Sequence, residues 1–427
     1  MVEQLAQHAM EVHGEAWTIK ELFVLPNEYI YWSIQIVMYP FMTGLVAGAF
    51  VLSSLYHVFG VKKLKEIARF SLVFSFALLP VAMMPLMLHL QQPLRGIHVM
   101  MTPHFTSAIA AFGIVFSTYG MIVASELWFV YRPHFVATAL ELKEKTNRGL
   151  IDNFRYLLFS ALTLGCYDVS EHALEKDERA VGILAGIGIP VACFLHGYAG
   201  FIFGSVKANA LWMTPLMPVI FICSAVVSGI ALCIITYIIT MEIRKFLSKM
   251  KNRDRMGLPS YEELQSAEIE EVKLTSKYLV MFLIAAITLE LLDLIFRGYT
   301  AVKSWDILRE VIYQRDFYKI FVMQYGLGNL LPFIIFKLPG LTVRRAALGS
   351  CLMLFGVFMM RWNVVIGGQA FSASYAGFMD YVLPIIPHNI ETFKEGLFGA
   401  LSVIITPYVL FYFINKVMPV FKYKGSH

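Results

Sequence analysis

The chain has 427 residues, of which 58% are hydrophobic and 15% are charged, and its formal net charge is +5. Its apolar residues come in long continuous blocks, which excludes an ordinary soluble domain and predicts an all-α integral membrane protein. The Lys and Arg residues lie in short clusters between the blocks, as membrane orientation requires, so the positive charge does not indicate nucleic-acid binding.

Nine membrane spans are predicted in chain order, each with the roughly 20 apolar residues that a helix needs to cross the hydrocarbon core. They cover residues 31–59, 70–90, 106–130, 181–204, 212–240, 276–298, 317–336, 346–366 and 396–415. A tenth candidate, residues 153–166, is too short to cross, contains Arg155 and continues into an acidic segment. We therefore expect residues 150–166 to form an interfacial or partly buried helix.

The distribution of basic residues predicts the orientation of the spans, because Lys and Arg concentrate on the cytoplasmic side. Nine spans with the N-terminus outside place 25 of the 35 basic residues inside, whereas a tenth span divides them 17 against 18. The predicted arrangement is an outer segment 1–30, a transmembrane domain 31–415 and a cytoplasmic tail 416–427. The longest cytoplasmic loops are then 131–180 and 241–275.

The termini and the cysteines give little functional signal. Residues 1–28 lack a basic segment ahead of an apolar core, so we expect no cleavable signal peptide. The five cysteines show no CxxC spacing. The sequence therefore predicts no metal site, iron–sulfur cluster or disulfide framework in this chain.

The connection between the second and third spans is unusually polar. It contains His89, Gln91, Gln92, Arg95, His98 and His104, at or just outside the predicted outer face. Polar groups at membrane depth are costly and usually functional. We predict that His89 and Gln92 contact a cofactor.

The sixth span ends with three charged residues on one helix face. Glu290, Asp293 and Arg297 are spaced i, i+3 and i+7, so the Asp293 carboxylate and the Arg297 guanidinium can pair directly. One interpretation is a neutral pair that only joins helices. The other is a site that handles protons, because two acids against one base leave one carboxylate unpaired.

Other spans carry isolated polar residues toward the same face. They are Gln35 in the first span, His196 and Tyr198 in the fourth, Gln324 in the seventh, and Arg361 and Asn363 at the end of the eighth. Each has a structural alternative, since a lone histidine often only packs and an arginine near a helix end often extends to the interface. Because they occupy the outer thirds of different helices, we expect them to converge.

A pocket of His, acid, Arg, Gln and aromatic side chains is suited to a quinone. Quinone carbonyls need hydrogen-bond donors, and two-electron quinone chemistry needs a neighbouring proton donor or acceptor. Haem is the rival cofactor, because His89 and His196 alone are placed to act as facing axial ligands near the outer face. The sequence does not favour a two-haem arrangement.

The order of several segments resembles the NrfD-like family of polysulfide reductase membrane subunits. The segments are YWSIQIVMYPFMTGLVAGAFVL (31–52), HLQQP (89–93), ELLDLIFR (290–297) and DFYKIFVMQYGLGNLLPF (316–333). HLQQP stands where many members have DLGRP, so His89 replaces an acid and Gln92 a basic residue. His196 and Arg361 also have counterparts in the family, and the resemblance covers most of residues 28–415.

Membership would imply two four-helix bundles, here with one extra C-terminal helix, in the cytoplasmic membrane of a bacterium or archaeon. It would also imply menaquinone or menaquinol as the cofactor and a ferredoxin-like iron–sulfur subunit on the outer face. Cytochrome c and cytochrome b type subunits are further expected partners. HLQQPLRG (89–96) and PHFTSA (103–108) look most like the DsrP branch associated with sulfite reduction, and a hydrogenase-linked quinone-reducing subunit is the alternative.

On this hypothesis the polar residues divide into two roles. His196, Glu290 and Asp293 would handle protons, and the side chains expected to bind or orient the quinone are Gln35, His89, Gln92, Tyr198, Arg297, Gln324 and Arg361. A secondary transporter, in which the same charges bind an ion or substrate, is a rival from a different class. A structural anchor without a site of its own is another.

Overall fold

The computed structural model describes residues 30, 32–104, 106–145, 148–207, 209–249, 259–300, 305–370 and 378–421. Almost all of the predicted outer segment 1–30 lies outside these ranges, as do parts of the predicted loops and tail.

The described chain is built from helices. The α-helices are α1 (Ile34–His57), α2 (Lys65–Leu78), α3 (Met84–His89), α4 (His98–Met101), α5 (Ala108–Glu144), α6 (Leu150–Leu162), α7 (Glu171–Gly204), α8 (Met217–Ser248), α9 (Tyr261–Thr300), α10 (Trp305–Glu310), α11 (Leu331–Lys337), α12 (Val343–Trp362), α13 (Ile390–Glu395) and α14 (Leu397–Val417). Three π-helices are Val311–Arg315, Tyr318–Leu330 and Asn363–Gly367, and two 3₁₀ turns are Lys62–Leu64 and Pro93–Ile97.

Eight helices in the described ranges are long and apolar enough to cross a membrane. They correspond to eight of the nine predicted spans. The predicted second span, 70–90, is not a continuous helix, because α2 ends at Leu78 and the chain turns before α3 begins. Pro80 and Pro85 account for the interruption, since proline has no backbone N–H to continue a helical ladder.

The segment that we expected to be interfacial forms α6, a helix of 13 residues. Its apolar side chains are largely exposed, with Leu150 at 90% and Ile151 at 77% of full exposure, while Phe159 is buried against the bundle. A helix of this length is too short to cross the hydrocarbon core. The exposed apolar surface suits a position along the membrane boundary.

Helix α1 lies at the centre of the bundle and is buried along nearly its whole length. It packs against α2, α7, α8 and α12. Its contact with α8 brings two backbones together at Gly48 and Gly229. A methyl group at Gly48 would lie 2.2 Å from the carbonyl oxygen of Ala225, so this approach requires glycine.

A second close crossing lies between the π-helix Tyr318–Leu330 and α12. A methyl group at Gly328 would lie 2.2 Å from the Cα of Gly356. This crossing fixes how the two helices face one another. It thereby brings Gln324, one turn before Gly328, close to Asn363 at the end of α12.

Candidate functional site

A cavity of about 120 Å³ lies beside α9, where the three π-helices meet it. We call it the Glu290 cavity. Its charged and polar lining consists of Glu290, Asp293, Arg297, Asp316, Gln324, Tyr325 and Asn363. Apolar side chains such as Leu211, Ile220 and Ile320 complete the wall. The cavity thus combines an apolar interior with a small number of convergent polar groups, as ligand sites usually do.

The backbone around the Glu290 cavity is π-helical in three segments. Each of the π-helices Val311–Arg315, Tyr318–Leu330 and Asn363–Gly367 contributes residues to the lining. A π-helix is wider than an α-helix and shifts the direction of its side chains, and such segments are frequent at functional sites. Nothing in the apolar periodicity of the sequence predicted this winding.

Glu290 is the end of a hydrogen-bond chain that crosses three elements. The Gln324 side-chain amide donates to the Glu290 carboxylate at 2.8 Å. The Asn363 amide in turn donates to the Gln324 carbonyl oxygen at 2.8 Å. Gln324 and Asn363 are both buried. The chain fixes one carboxylate oxygen of Glu290 at the cavity wall.

Asp293 is held differently, by a cation. The Arg297 guanidinium donates to one Asp293 oxygen at 2.9 Å, and the Thr214 hydroxyl donates to the other at 2.5 Å. Arg297 also donates to the backbone carbonyl of Ala210 at 2.9 Å. This pair therefore ties the segment before α8 to α9, which corresponds to the helix-joining interpretation of the sequence pattern. Among the described residues, no cation forms an ion pair with the Glu290 carboxylate.

Arg361 and His196 form a second, fully buried cluster. Both side chains are 0% exposed, and an Arg361 Nη nitrogen lies 2.9 Å from Nε2 of His196. The same nitrogen donates to the Ser224 hydroxyl at 2.8 Å, and the guanidinium lies 3.7 Å from the centre of the Phe221 ring. Nδ1 of His196 is 3.3 Å from the Thr43 hydroxyl. Arg361 does not extend to the interface, the alternative that its position near a helix end allowed.

The two clusters are adjacent because the residues on either side of Arg361 in the chain reach the cavity. Met360 lines the Glu290 cavity, as does Asn363 two residues later. Arg361 and Glu290 also interact electrostatically. The Arg361 charge therefore lies behind the cavity wall rather than in the cavity itself.

Gln35 and His89 belong to a third cluster near the start of α1. The Gln35 amide donates to the backbone carbonyl of Lys394 at 2.6 Å. His89 lies 3.3 Å from the Ser33 hydroxyl and 3.4 Å from a Glu395 carboxylate oxygen. Burial raises the pKa of Glu395, and the neighbouring His89 opposes that shift. This cluster joins the broken second span to α13 at the start of the C-terminal helix pair.

The two remaining predicted residues lie apart from all three clusters. Gln92 is exposed, in the turn before the 3₁₀ segment Pro93–Ile97. Tyr198 is half-buried on α7, with its ring between those of Phe194 and Phe201 at 5.6 and 5.4 Å.

The convergence expected from the sequence is therefore partial. Glu290, Asp293, Arg297 and Gln324 meet at one cavity, with Arg361 and His196 behind it. Gln35, His89, Gln92 and Tyr198 do not line that cavity.

The geometry does not support axial ligation of one haem by His89 and His196. Their partners on α1 are Ser33 and Thr43, which are about 15 Å apart along the helix axis at 1.5 Å per residue. Both ring nitrogens of His196 lie at hydrogen-bond distance from protein atoms.

Sequence reasoning missed several partners that define these sites. Thr214, Ser224, Thr43 and Glu395 gave no signal, because single hydroxyl residues within apolar spans and single acids at helix ends are common. Glu126 was recognisable, since it is an acid within a predicted span. It is 0% exposed, and neither carboxylate oxygen has a hydrogen-bond partner in the part of the chain that the structure describes.

Together the fold and the site define a polytopic helical membrane protein with a polar, cavity-forming site between its helices. The sequence profile of the polysulphide reductase NrfD family matches residues 25–373. The chain belongs to this family, and the resemblance drawn from its sequence segments is confirmed.

Three relatives show what the chain is similar to. It is 26% identical over 347 residues to a selenate reductase subunit of Mesobacillus selenatarsenatis, covering 80% of this chain and 74% of that protein. It is 26% identical over 340 residues to a putative dimethyl sulfoxide reductase membrane subunit of Halobacterium salinarum, covering 79% and 69%. It is 24% identical over 218 residues to the Hdr-like menaquinol oxidoreductase integral membrane subunit of Archaeoglobus fulgidus, covering 50% and 43%.

Proposed function

We propose that the chain is the quinone-reactive membrane subunit of a respiratory oxidoreductase complex and that it oxidises menaquinol at the Glu290 cavity. The observation that carries this proposal is the cavity itself, where the Glu290 carboxylate, which accepts a hydrogen bond from Gln324, meets a second amide and an apolar wall. Family membership supports a role within a larger complex. The name of the Archaeoglobus relative supports menaquinol as the electron donor.

The residues at the cavity supply a donor set that suits one edge of a quinone ring. A dry cavity of about 150 Å³ accommodates benzene, so the volume of about 120 Å³ takes that edge rather than the whole two-ring head group of menaquinol. The buried Asn363 side-chain oxygen has no partner among the described residues and can accept a hydrogen bond from a quinol hydroxyl. Leu291 and Ile295 follow the lining residues Glu290 and Leu294 on α9 and are exposed apolar side chains.

A bound menaquinol would supply two electrons and two protons on oxidation to the quinone. Glu290 would accept the two protons in turn on its carboxylate, held toward the ring by the Gln324 amide, and would release the first before accepting the second. Gln324 and Asn363 would orient the carbonyl or hydroxyl groups, and Arg361 would favour negative charge at Glu290. Asp293 and Arg297 would hold the wall in place rather than carry the proton. The proton-handling role predicted for His196 and the quinone contacts predicted for Gln35 and His89 are not part of this assignment.

The electrons require a partner, which we propose to be an iron–sulfur subunit docked at the outer face. The relatives named as reductase subunits favour electron flow from quinol toward a terminal reductase. The outer position of the site rests on the distribution of basic residues. Association with the sulfite-reduction branch, and with cytochrome subunits, is a further part of the proposal and rests on the sequence resemblance alone.

The test is quinol oxidation by the intact complex, purified in mild detergent and carrying Glu290→Gln. Glutamine keeps the size of the side chain and a hydrogen bond to Gln324 but cannot accept the proton. We expect kcat to fall by about 100-fold or more, the usual contribution of a general base, with little change in KM. Glu270→Gln is the matched control, because Glu270 lies exposed on the same helix.

Unchanged turnover in Glu290→Gln would remove the carboxylate from the chemistry and with it this site assignment. A wild-type chain that purifies intact but without any redox partner would contradict the proposed class of protein and favour a transporter.

A further inference from the structure

A second cavity, of about 400 Å³, lies at the opposite end of α1 from Ser33. It opens between the end of α1, the start of α2, and the facing parts of α5 and α7. We call it the basic vestibule. One wall is charged and includes Lys62, Lys65 and Arg69. The facing wall includes the apolar Phe129, Val130 and Val181, beside the acids Asp177 and Glu178.

The charge balance of the basic vestibule is positive. Of its two acids, Asp177 is already neutralised by Arg132, whose side chain is 2% exposed and donates to Asp177 from Nε at 2.7 Å. Together with Arg132, the lining residues Lys62, Lys65 and Arg69 outnumber the acids Asp177 and Glu178 by two formal charges. An anion in the vestibule would meet a net local charge of about +2.

The vestibule lies where apolar helix surface gives way to polar sequence. His57 is the last residue of α1, and Val181 begins the apolar part of α7 after the charged segment that includes Asp177. Phe59 and Ile183, within two residues of the vestibule lining in the chain, are 65% and 62% exposed. Apolar side chains exposed at this level face lipid in a membrane. The charged wall lies on the side that the basic residues predict to be cytoplasmic.

We propose that the basic vestibule binds the phosphate headgroup of an anionic phospholipid such as phosphatidylglycerol. Basic pockets between helices at the cytoplasmic surface suit such headgroups, because the cations meet the phosphate while apolar walls meet the lipid chains. A free phosphate ion would leave the apolar wall unused. The two-sided lining therefore favours a lipid over the soluble anion.

The proposal is tested on the purified complex by native mass spectrometry after partial delipidation. The variant is Lys62→Gln combined with Lys65→Gln, and phosphatidylglycerol is titrated against phosphatidylcholine. Two lysines near an anionic headgroup should together account for about a 30-fold difference in affinity. We therefore expect wild type to retain one phosphatidylglycerol that the double variant loses.

Lys63→Gln is the matched control, since its side chain is 75% exposed, pairs with Glu270 and is not part of the vestibule lining. It should retain the lipid. The charge-preserving variant with arginine at positions 62 and 65 should also retain it, which separates loss of binding from loss of folding.

Equal retention in wild type and the double glutamine variant would overturn the proposal. Displacement of the lipid by millimolar inorganic phosphate, or equal retention of phosphatidylcholine, would overturn it too, in favour of a free anion or of unspecific lipid. The result does not depend on quinol turnover, so the proposed function can fail independently.

Discussion

Replacing Asp293 with asparagine should lower the free energy of unfolding substantially and change the rate of quinol oxidation little. Asp293 and Arg297 have 14% and 8% of their side-chain surfaces exposed and are 2.9 Å apart. Asparagine keeps the size of the side chain and a hydrogen bond to Thr214 but removes the negative charge. Arg297 is left as a buried cation whose remaining hydrogen bond within the described residues is to the Ala210 carbonyl.

The expected loss follows from the burial of this pair. Removing one partner of a fully buried pair costs about 3–5 kcal/mol. Because the Ala210 carbonyl still accepts from Arg297, we expect Asp293→Asn to lower the free energy of unfolding by about 2–3 kcal/mol. Arg297→Gln should cost a similar amount. The double variant should recover part of the loss, with a coupling energy of about 1–3 kcal/mol.

The assay is chemical unfolding in mild detergent, run beside quinol oxidation on the same preparations. Glu290→Gln should give the reverse pattern, with near-normal unfolding and little turnover. The reasoning fails if Asp293→Asn unfolds like wild type yet loses turnover, because Asp293 would then carry the proton rather than anchor Arg297. The absence of coupling between Asp293 and Arg297 would refute the energetic part alone.

Three further variants test other parts of the structure. Arg361→Met should keep the melting temperature within a few degrees of wild type, because removing a buried charge offsets the loss of its hydrogen bonds. It should reduce turnover at least about tenfold, and normal turnover would count against a role for the charge. Glu126→Gln should leave the melting temperature almost unchanged, because both carboxylate oxygens are buried without a hydrogen-bond partner among the described residues. A large fall in the melting temperature would show that the negative charge of Glu126 stabilises the protein. Gly356→Ala should cost about 1–3 kcal/mol by thermal unfolding, because its methyl group would lie 2.6 Å from the Cα of Gly328; Gly186→Ala, which has open space, is the control.

The positions of the long helices were predictable because membrane solvation imposes a simple rule. A span must be apolar over roughly 20 residues, and that requirement is local in sequence. The interruption at Pro80 was also readable from a local rule, but hydropathy alone merged α2 and α3 into one span. The ion pair of Asp293 with Arg297 was predictable for the same reason, since a four-residue spacing fixes both side chains on one helix face.

The composition of the cavity was not predictable, because it depends on which faces of separate helices meet. Gln324 reaches Glu290 through a π-helix and a glycine crossing, and neither leaves a periodic signal in the sequence. His89 was equally polar, yet it packs against Glu395 from the C-terminal part of the chain. The residues that form each long helix could be inferred from sequence, whereas the rotation of each helix could not.

Arg297 and Arg361 show how the rotation of each helix decides which charge acts at the cavity. In sequence they are equivalent, each near the outer end of a span and close to a polar group. In the structure Arg297 has a carboxylate at 2.9 Å, so its charge is largely cancelled at the cavity. Arg361 contacts a histidine, a hydroxyl and an aromatic ring, and its Nε has no partner among the described residues. The Arg361 charge also interacts with Glu290, so the proposed proton-accepting carboxylate has a fixed positive charge behind it.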